Sequence, residues 1–91
     1  MVLDNGGWQA VKSAVQRVYP KGFAAETNEF QSRLMSGRQG EQRDFSAVAR
    51  AFGAHGECVT EPDDLAAAID RCLAALDDGN AAVLHVHITS L

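Results

Sequence analysis

The closing stretch AAVLHVHI most constrains what this chain can fold into. It is apolar over nearly the whole length of a strand, which is typical of a strand covered on both faces. It follows EPDDLAAAIDRCLAALDDG, the strongest helical pattern in the chain, where Pro62 fits the first helical position and Gly79 a left-handed stop. A buried strand beside such a helix predicts an α/β fold with a parallel sheet.

The rest of the chain continues this alternation of strands and helices. MVL is typical of a short strand, WQAVKSAVQRVY of a helix, and ECVT of a second strand. DFSAVARAFGAHG predicts another helix, with Asp44 as its cap and Gly53 as its stop. We therefore expect a partial three-layer fold, with a parallel sheet of about three strands between flanking helices.

Hydrophobic spacing also predicts which helix faces are buried. The expected apolar face of the helix after Asp44 consists of Phe45, Val48, Ala49 and Phe52. The expected apolar face of the long helix before the last strand consists of Leu65, Ile69, Cys72 and Leu76.

The chain is short enough to form a single domain over residues 1–91. We divide it into a strand, turn and helix over 1–19, a mobile loop over 20–43, and a helix–strand–helix–strand unit over 44–91. The loop holds one weak helical segment, in which Thr27 or Asn28 caps a turn that carries Phe30 and Leu34. Loops of this length are typically functional or disordered.

Charge and hydropathy exclude two classes of partner. The net charge is −4, and the chain has no basic run and no interleaving of basic and aromatic residues, which argues against a nucleic-acid surface. No apolar stretch is long enough to span a membrane, and no signal sequence precedes the first strand. We therefore expect a cytoplasmic protein.

The cysteines and histidines favour a structural interpretation. Cys58 and Cys72 each lie in an apolar pattern, which predicts two reduced core thiols; a regulatory disulfide would require them to be adjacent in space. His85 and His87 share one face of the last strand and can in principle chelate zinc. No third ligand is evident, since His55 is the only other histidine, so we expect the pair to line a half-buried strand face.

Acidic residues flank the long helix at both ends. Those at its start suit the positive end of the helix dipole, whereas those at its end oppose the dipole. We interpret all four as solvated side chains and not as a catalytic pair: Asp63, Asp64, Asp77 and Asp78.

The turn DNGG, between the first strand and the first helix, is the candidate binding site. Open α/β sheets bind ligands where a strand ends in a glycine turn and a helix begins, because the free main-chain N–H groups favour phosphate. The same four residues are also typical of a plain turn, since Asn and Gly tolerate positive φ. The local sequence leaves both interpretations open.

Three longer stretches, VLDNGGWQAVKSAVQRVYPKGFA, DFSAVARAFGAHGECVTEPDDLAAAIDRCLAAL and AAVLHVHI, resemble a known family along nearly the whole chain. They are similar to the C-terminal half of the cofactor-binding domain of thiamine-diphosphate (TPP)-dependent enzymes, and most of all to the acetolactate-synthase-like branch. In that family a Gly-Asp-Gly triplet is followed by a paired Asn-Asn at a strand end. The triplet's Asp and the second Asn bind the magnesium ion that holds the cofactor's diphosphate.

The resemblance places the family's paired position on Asp4 and Asn5. It implies that Asn5, through its side-chain oxygen, and Gly7, through its main-chain carbonyl, bind Mg²⁺, and that Gly6 and Trp8 complete the cofactor-binding turn. Such hard oxygen ligands are those that magnesium prefers. Asp4 departs from the family's first Asn, a position that is not itself a metal ligand. The resemblance assigns no catalytic residue to this chain.

The resemblance further implies a C-terminal fragment of an enzyme, a lyase or transferase, that decarboxylates 2-oxo acids and joins the product to an acceptor. The sequence lacks both the Gly-Asp-Gly triplet and the glutamate that activates the cofactor. We therefore expect the chain alone neither to bind thiamine diphosphate and Mg²⁺ appreciably nor to turn over substrate. Its expected partners are the rest of the enzyme and a second subunit in a homo-oligomer.

Two alternatives remain open from the sequence. The loop over 21–43 corresponds to a family segment that shapes the substrate pocket, but a plain solvent-exposed loop explains it equally well. Its candidate substrate contacts are Gln31, Arg33, Met35 and Arg38. The alternative for the whole chain is a free-standing small α/β interaction module without catalysis.

Overall fold

The computed structural model describes residues 1–30 and 43–89. Its strands are β1 (Val2–Asp4), β2 (His55–Val59) and β3 (Ala82–His87). Its helices are α1 (Gln9–Val18), α2 (Phe23–Thr27), α3 (Phe45–Ala51) and α4 (Leu65–Asp77), and a 3₁₀ turn over Pro62–Asp64 leads into α4. No helix in these described ranges is long and apolar enough to cross a membrane.

The three strands form one parallel sheet in the order β1-β3-β2. The central strand, β3, pairs on one edge with β1 and on the other with β2, and three of its residues are buried: Leu84, His85 and Val86. This position explains its nearly continuous apolar sequence. The predicted fold class, a parallel three-stranded sheet with flanking helices, is confirmed.

Helices α3 and α4 cover opposite faces of this sheet. The core under α4 joins residues of that helix to alternate residues of β2 and β3: Val59, Ala68, Cys72, Leu84 and Val86. On the other face, α3 lies against β2 so closely that a Cβ atom at Gly56 would lie 2.2 Å from the Ser46 carbonyl oxygen. A glycine is therefore required at Gly56, because the obstructing atom belongs to the main chain.

The predicted cap of α3 and the predicted stops of α3 and α4 are confirmed, whereas α4 begins at Leu65 and not at Pro62. The Asp44 carboxylate accepts hydrogen bonds from the main-chain N–H groups of Ser46 and Ala47 at the start of α3, at 2.9 and 3.3 Å. Gly53 and Gly79, just after α3 and α4, have φ of 77° and 82°. These are the left-handed conformations that end a helix without a Cβ clash.

The predicted apolar faces are wrong in part. In α3 the buried residues are Ser46 and Ala49, whereas Val48 is exposed and Phe52, just after the helix, is 86% exposed. In α4, Cys72 is buried as predicted, and Leu65 and Ile69 pack against the core, but Leu76 is 53% exposed. Small side chains, Ala68 and Ala75, occupy the buried positions instead, and they allow the helix to approach the sheet closely.

Residues 5–30 belong to a second compact unit, which contains α1 and α2. Neither helix has a buried residue. Asn28 adopts a left-handed φ of 55° and ends α2, so a helix lies just before Asn28, whereas the predicted turn through Leu34 extends beyond the described residues. Half of the predicted mobile loop, residues 31–42, lies outside the described residues, and so do Leu34 and the four candidate substrate contacts: Gln31, Arg33, Met35 and Arg38.

Candidate functional site

The turn Asn5–Trp8 connects the end of β1 to the start of α1. The Asn5 side-chain Oδ1 accepts a hydrogen bond from the Gly7 main-chain N–H at 3.1 Å, which closes the turn locally. Gly6 has φ of 77°, and no atom outside its immediate neighbours would lie within 4 Å of a Cβ there. The positive φ at Gly6 is a backbone conformation that favours glycine.

The oxygen atoms of this turn match the chemistry of a magnesium site. A side-chain amide oxygen has two lone pairs, and the Gly7 N–H engages one of those on Asn5 Oδ1. The Gly7 carbonyl is a second hard oxygen donor on the same short turn. Magnesium takes few protein ligands of this type and completes its octahedron with phosphate oxygens and water. The donor set therefore fits Mg²⁺ bound to a diphosphate.

The start of α1 favours a negatively charged ligand. Trp8 occupies the cap position, and this end of the helix has neither a side-chain capping hydrogen bond nor an acidic residue in its first turn. Among residues 1–30 and 43–89, neither a side-chain cap nor an acidic residue of the first turn therefore offsets the positive end of this helix dipole. The Trp8 N–H donates to the Phe30 carbonyl at 2.9 Å, and the Trp8 residue is 52% exposed.

Asp4, immediately before this turn, is held in a buried polar network. Its Oδ1 accepts from Arg43 Nη2, and its Oδ2 lies at the same distance of 3.0 Å from His85 Nε2. The Phe45 main-chain N–H donates to His85 Nδ1 at 3.2 Å, so the ring proton of neutral His85 is on Nε2 and is donated to Asp4. Asp4 therefore has a structural role, and a carboxylate suits it because Arg43 is a cation.

A second charged group fixes α3 to β2. The Asp44 carboxylate accepts from the Ser46 hydroxyl and pairs with Arg50 at 2.9 Å, and these contacts, with that of Ser46 first, lower the pKa of Asp44 to about 2. Arg50 also donates to the Gly56 carbonyl at 3.1 Å. The interaction thus connects the start of α3 to the middle of β2.

The histidine pair of β3 has a third potential ligand. The rings of His85 and His87 have centroids 4.4 Å apart, and Cys58 of β2 places its Sγ 3.9 Å from His85 Nδ1. The expectation that no third ligand lies near the pair is therefore wrong. His85 is also fully buried and not half-buried. The parallel register of β2 and β3, which aligns Cys58 with His85, is the signal that connects them.

Cys72 lies on the other face of the sheet, near a different polar group. Glu57 accepts from Arg71 at 2.7 Å and lies 2.8 Å from His55 Nε2, and Arg71 in particular lowers the pKa of Glu57. Burial raises the pKa of Cys72, whose Sγ is 3.9 Å from Glu57. Since consecutive residues of a strand point to opposite faces, Cys58 and Cys72 are separated by the sheet. Both are free thiols, and only Cys72 is in the core.

Comparison with known proteins agrees with the expected resemblance. A family model described as "Thiamine pyrophosphate enzyme, C-terminal TPP binding domain" matches residues 1–86. This range includes the sheet, α1 and the turn Asn5–Trp8. No solved structure matches the chain significantly. The family match covers nearly the whole sequence, and the chain therefore belongs to the C-terminal TPP-binding domain family of thiamine pyrophosphate enzymes.

Proposed function

We propose that this chain is the part of a TPP-dependent enzyme that binds the cofactor's diphosphate through Mg²⁺. Its family implies thiamine diphosphate as the cofactor of the parent enzyme. When bound, that cofactor supplies the electron sink for breaking or forming a carbon–carbon bond beside a carbonyl. The parent reaction in this proposal is decarboxylation and carboligation of 2-oxo acids, as in the acetolactate-synthase-like branch that the sequence resembles.

The observation that carries the proposal is the turn Asn5–Trp8. It combines two hard oxygen donors, Asn5 Oδ1 and the Gly7 carbonyl, with a glycine between them, Gly6, whose φ is 77°. The helix that follows begins without a capping or acidic side chain. In this proposal Asn5 and Gly7 bind the metal, Gly6 completes the cofactor-binding turn, and Trp8 positions the start of α1.

Exposed apolar side chains support a role inside a larger assembly. Helix α1 has a hydrophobic stripe but no buried residue, and Val11, Val18 and Tyr19 at or next to it are all more than half exposed. Leu3, on the edge strand β1, is exposed too. Exposed apolar surface of this extent is typical of interaction sites. We propose that the remainder of the enzyme and a second subunit cover it.

A chimera tests the proposal directly. Residues 1–86 replace the corresponding segment of an acetolactate-synthase-like enzyme that carries its own Gly-Asp-Gly triplet, and near-ultraviolet circular dichroism checks that the product is folded. We expect calorimetry to detect Mg²⁺-dependent binding of thiamine diphosphate to the chimera and none to the 91-residue chain alone. The isolated chain provides only one side-chain ligand and one carbonyl, which is too few for a stable site.

The same experiment separates the alternative function. If the chain is an interaction module without catalysis, the folded chimera will not bind the cofactor at any Mg²⁺ concentration. Binding to the chimera together with decarboxylation of a 2-oxo acid would support the enzyme. Tight binding to the isolated chain would contradict the part of the proposal that requires a second half.

A further inference from the structure

We propose that Cys58, His85 and His87 form a zinc site on the face of the sheet that carries α3. One ligand atom from each residue, the thiol sulfur or a ring nitrogen, lies within 4.8 Å of the other two. Cysteine sulfur and imidazole nitrogen are the ligands that Zn²⁺ takes in proteins, in tetrahedral geometry. Magnesium prefers oxygen ligands to these sulfur and nitrogen atoms. The zinc site is therefore a separate proposal from the magnesium site at the turn Asn5–Trp8.

The register of the sheet assembles the three ligands. Cys58 of β2 is the neighbour of His85 on β3, and their ligand atoms, Sγ and Nδ1, are 3.9 Å apart. His87 follows two residues later on the same face of the same strand. Sulfur and nitrogen bound to one tetrahedral zinc are roughly 3.5 Å apart. Closing the site therefore requires side-chain movements of under about 1 Å and displacement of the Phe45 N–H from His85 Nδ1, with no change in the sheet.

The buried network around Asp4 already orients the central ligand. His85 donates its Nε2 proton to the Asp4 carboxylate at 3.0 Å, which leaves Nδ1 on the side of Cys58. A metal-bound histidine typically donates its other N–H to a carboxylate in this way, which fixes the ring and raises its basicity. In this structure His85 Nδ1 accepts a hydrogen bond from the Phe45 N–H at 3.2 Å. A bound zinc ion would replace the Phe45 N–H as the partner of Nδ1.

Access and proton balance are consistent with a site that fills from solvent. Cys58 is exposed and His87 is half-buried, so an ion reaches the site from that side although His85 is fully buried. Zinc bonds to the thiolate of Cys58 and to one nitrogen of each ring, the Cys58 proton leaves to solvent, and water completes the tetrahedron. Protons compete with zinc for the thiolate and the ring nitrogens, so we expect binding to weaken at acidic pH.

A second group of possible ligands, His55, Glu57 and Cys72 on the opposite face, provides an internal control. There the Glu57 carboxylate is already paired with the Arg71 guanidinium at 2.7 Å, and a metal ion would have to displace this cation. We therefore expect zinc to bind at Cys58 and not at Cys72.

The test uses the full 91-residue chain, reduced and metal-free, with Co²⁺ as a spectroscopic substitute for zinc. We expect a thiolate-to-cobalt charge-transfer band and the visible bands of a tetrahedral site, both removed when Zn²⁺ is added. The bands should disappear in Cys58→Ser, and His87→Gln should weaken binding by about 10-fold or more. His55→Gln and Cys72→Ala should keep them. Because Cys58 is exposed, we expect its substitution to leave the far-ultraviolet spectrum unchanged.

Thermal unfolding gives a second readout. Zinc should raise the unfolding midpoint of the wild-type chain and of His55→Gln, but not that of Cys58→Ser, because only binding to the folded state stabilises it. Absence of the cobalt bands in the wild type, or their persistence in Cys58→Ser, would overturn the proposal. Bands lost in Cys72→Ala but kept in Cys58→Ser would also overturn it and place the metal on the other face.

Discussion

The helices around the sheet and the helices of residues 5–30 differ in how many of their side chains are buried. Around the sheet, α3 and α4 bury small side chains against β2 and β3, and the start of α3 is capped by Asp44. In residues 5–30, neither α1 nor α2 buries a residue, and α1 begins without a side-chain cap. In the described residues, the first region thus buries apolar side chains and caps a helix, whereas the second has exposed apolar side chains and a helix start without a side-chain cap.

Asp4 and Asn5, which are adjacent in the sequence, also differ in burial and in their hydrogen-bond partners. The Asp4 carboxylate is almost entirely buried, with a side chain that is 8% exposed, and binds Arg43 and His85. Asn5 makes a local hydrogen bond with Gly7 and is half-buried. Substitutions at these two positions can therefore measure the stabilising role of Asp4 separately from the ligand binding that we propose for Asn5.

The largest expected effect in the sheet region is that of Gly56→Ala. A methyl group there would lie 2.2 Å from the Ser46 carbonyl oxygen, so α3 would have to move away from β2. We expect a loss of about 3 kcal/mol in the free energy of unfolding, measured with urea. Gly79→Ala is the matched control: it faces open space but has φ of 82°, so it should lose only about 1 kcal/mol. Equal losses in the two variants would contradict the close packing of α3.

The next effect separates Asp4 from Asn5. Asp4→Ala leaves Arg43 and His85 without their shared carboxylate, and we expect it to destabilise the chain by about 2 kcal/mol. Asp4→Asn should lose less, since its amide oxygen still accepts from one of the two donors. Asn5→Ala removes only a local turn contact and should cost under about 1 kcal/mol. If Asn5→Ala proves as destabilising as Asp4→Ala, the proposed division of roles is wrong.

A smaller effect should depend on pH. Asp44→Ala removes the cap of α3 and should cost about 1 kcal/mol at neutral pH, whereas Asp44→Asn retains a capping oxygen and should cost less. The pKa of Asp44 is lowered from 3.8 to about 2, so its ionised form stabilises the fold above 3.8 and this stability is lost as the pH falls towards 2.

Unfolding curves of wild type and Asp44→Ala at several pH values measure this dependence. The gap between them should narrow on acidification. Because the side chain is 39% exposed, solvent screens its pairing with Arg50, and we expect the pH-dependent part to be modest. A gap that widens below pH 3.8 would contradict the assigned direction of the pKa shift.

The smallest expected effect lies in the second region. Val18→Ala on α1 truncates an apolar side chain that is 64% exposed, so the free energy of unfolding should change by less than about 0.5 kcal/mol. Val59→Ala, at a position that is 5% exposed in the sheet core, makes the same chemical change and should cost about 2 kcal/mol. Similar costs at the two positions would show that α1 is packed as firmly as the sheet core.

The sequence predicted those features of the fold that depend on residues close together in the chain. The buried character of β3 follows from its apolar run, and Asp44, Gly53 and Gly79 mark helix ends through contacts within a few residues. The faces of α3 and α4 were predicted less well. Spacing identifies a stripe but not how closely a helix approaches the sheet, so Phe52 was expected inside and Ser46 was missed.

The polar contacts beyond the turn could not be predicted from local patterns. Asp4 and His85 are 81 residues apart, and Cys58 and His85 are 27 residues apart; both contacts depend on the strand order, in which β3 lies between its two neighbours. A parallel sheet was predicted, but its register was not. The magnesium ligands Asn5 and Gly7 remain a prediction that rests on the family resemblance, because the residues of the turn alone are equally typical of a plain turn.

The most direct test of the central claim is the Mg²⁺ dependence of thiamine diphosphate binding to the chimera with residue 5 varied. We expect Asn5→Ala to weaken the apparent Mg²⁺ affinity by about 100-fold or more, because even indirect partners of a metal ligand contribute 10–100-fold. Asn5→Asp, which keeps an oxygen donor, should retain binding, and the distant His55→Gln should behave as wild type. Unchanged Mg²⁺ affinity in a folded Asn5→Ala chimera would contradict the claim that this turn binds the cofactor's metal.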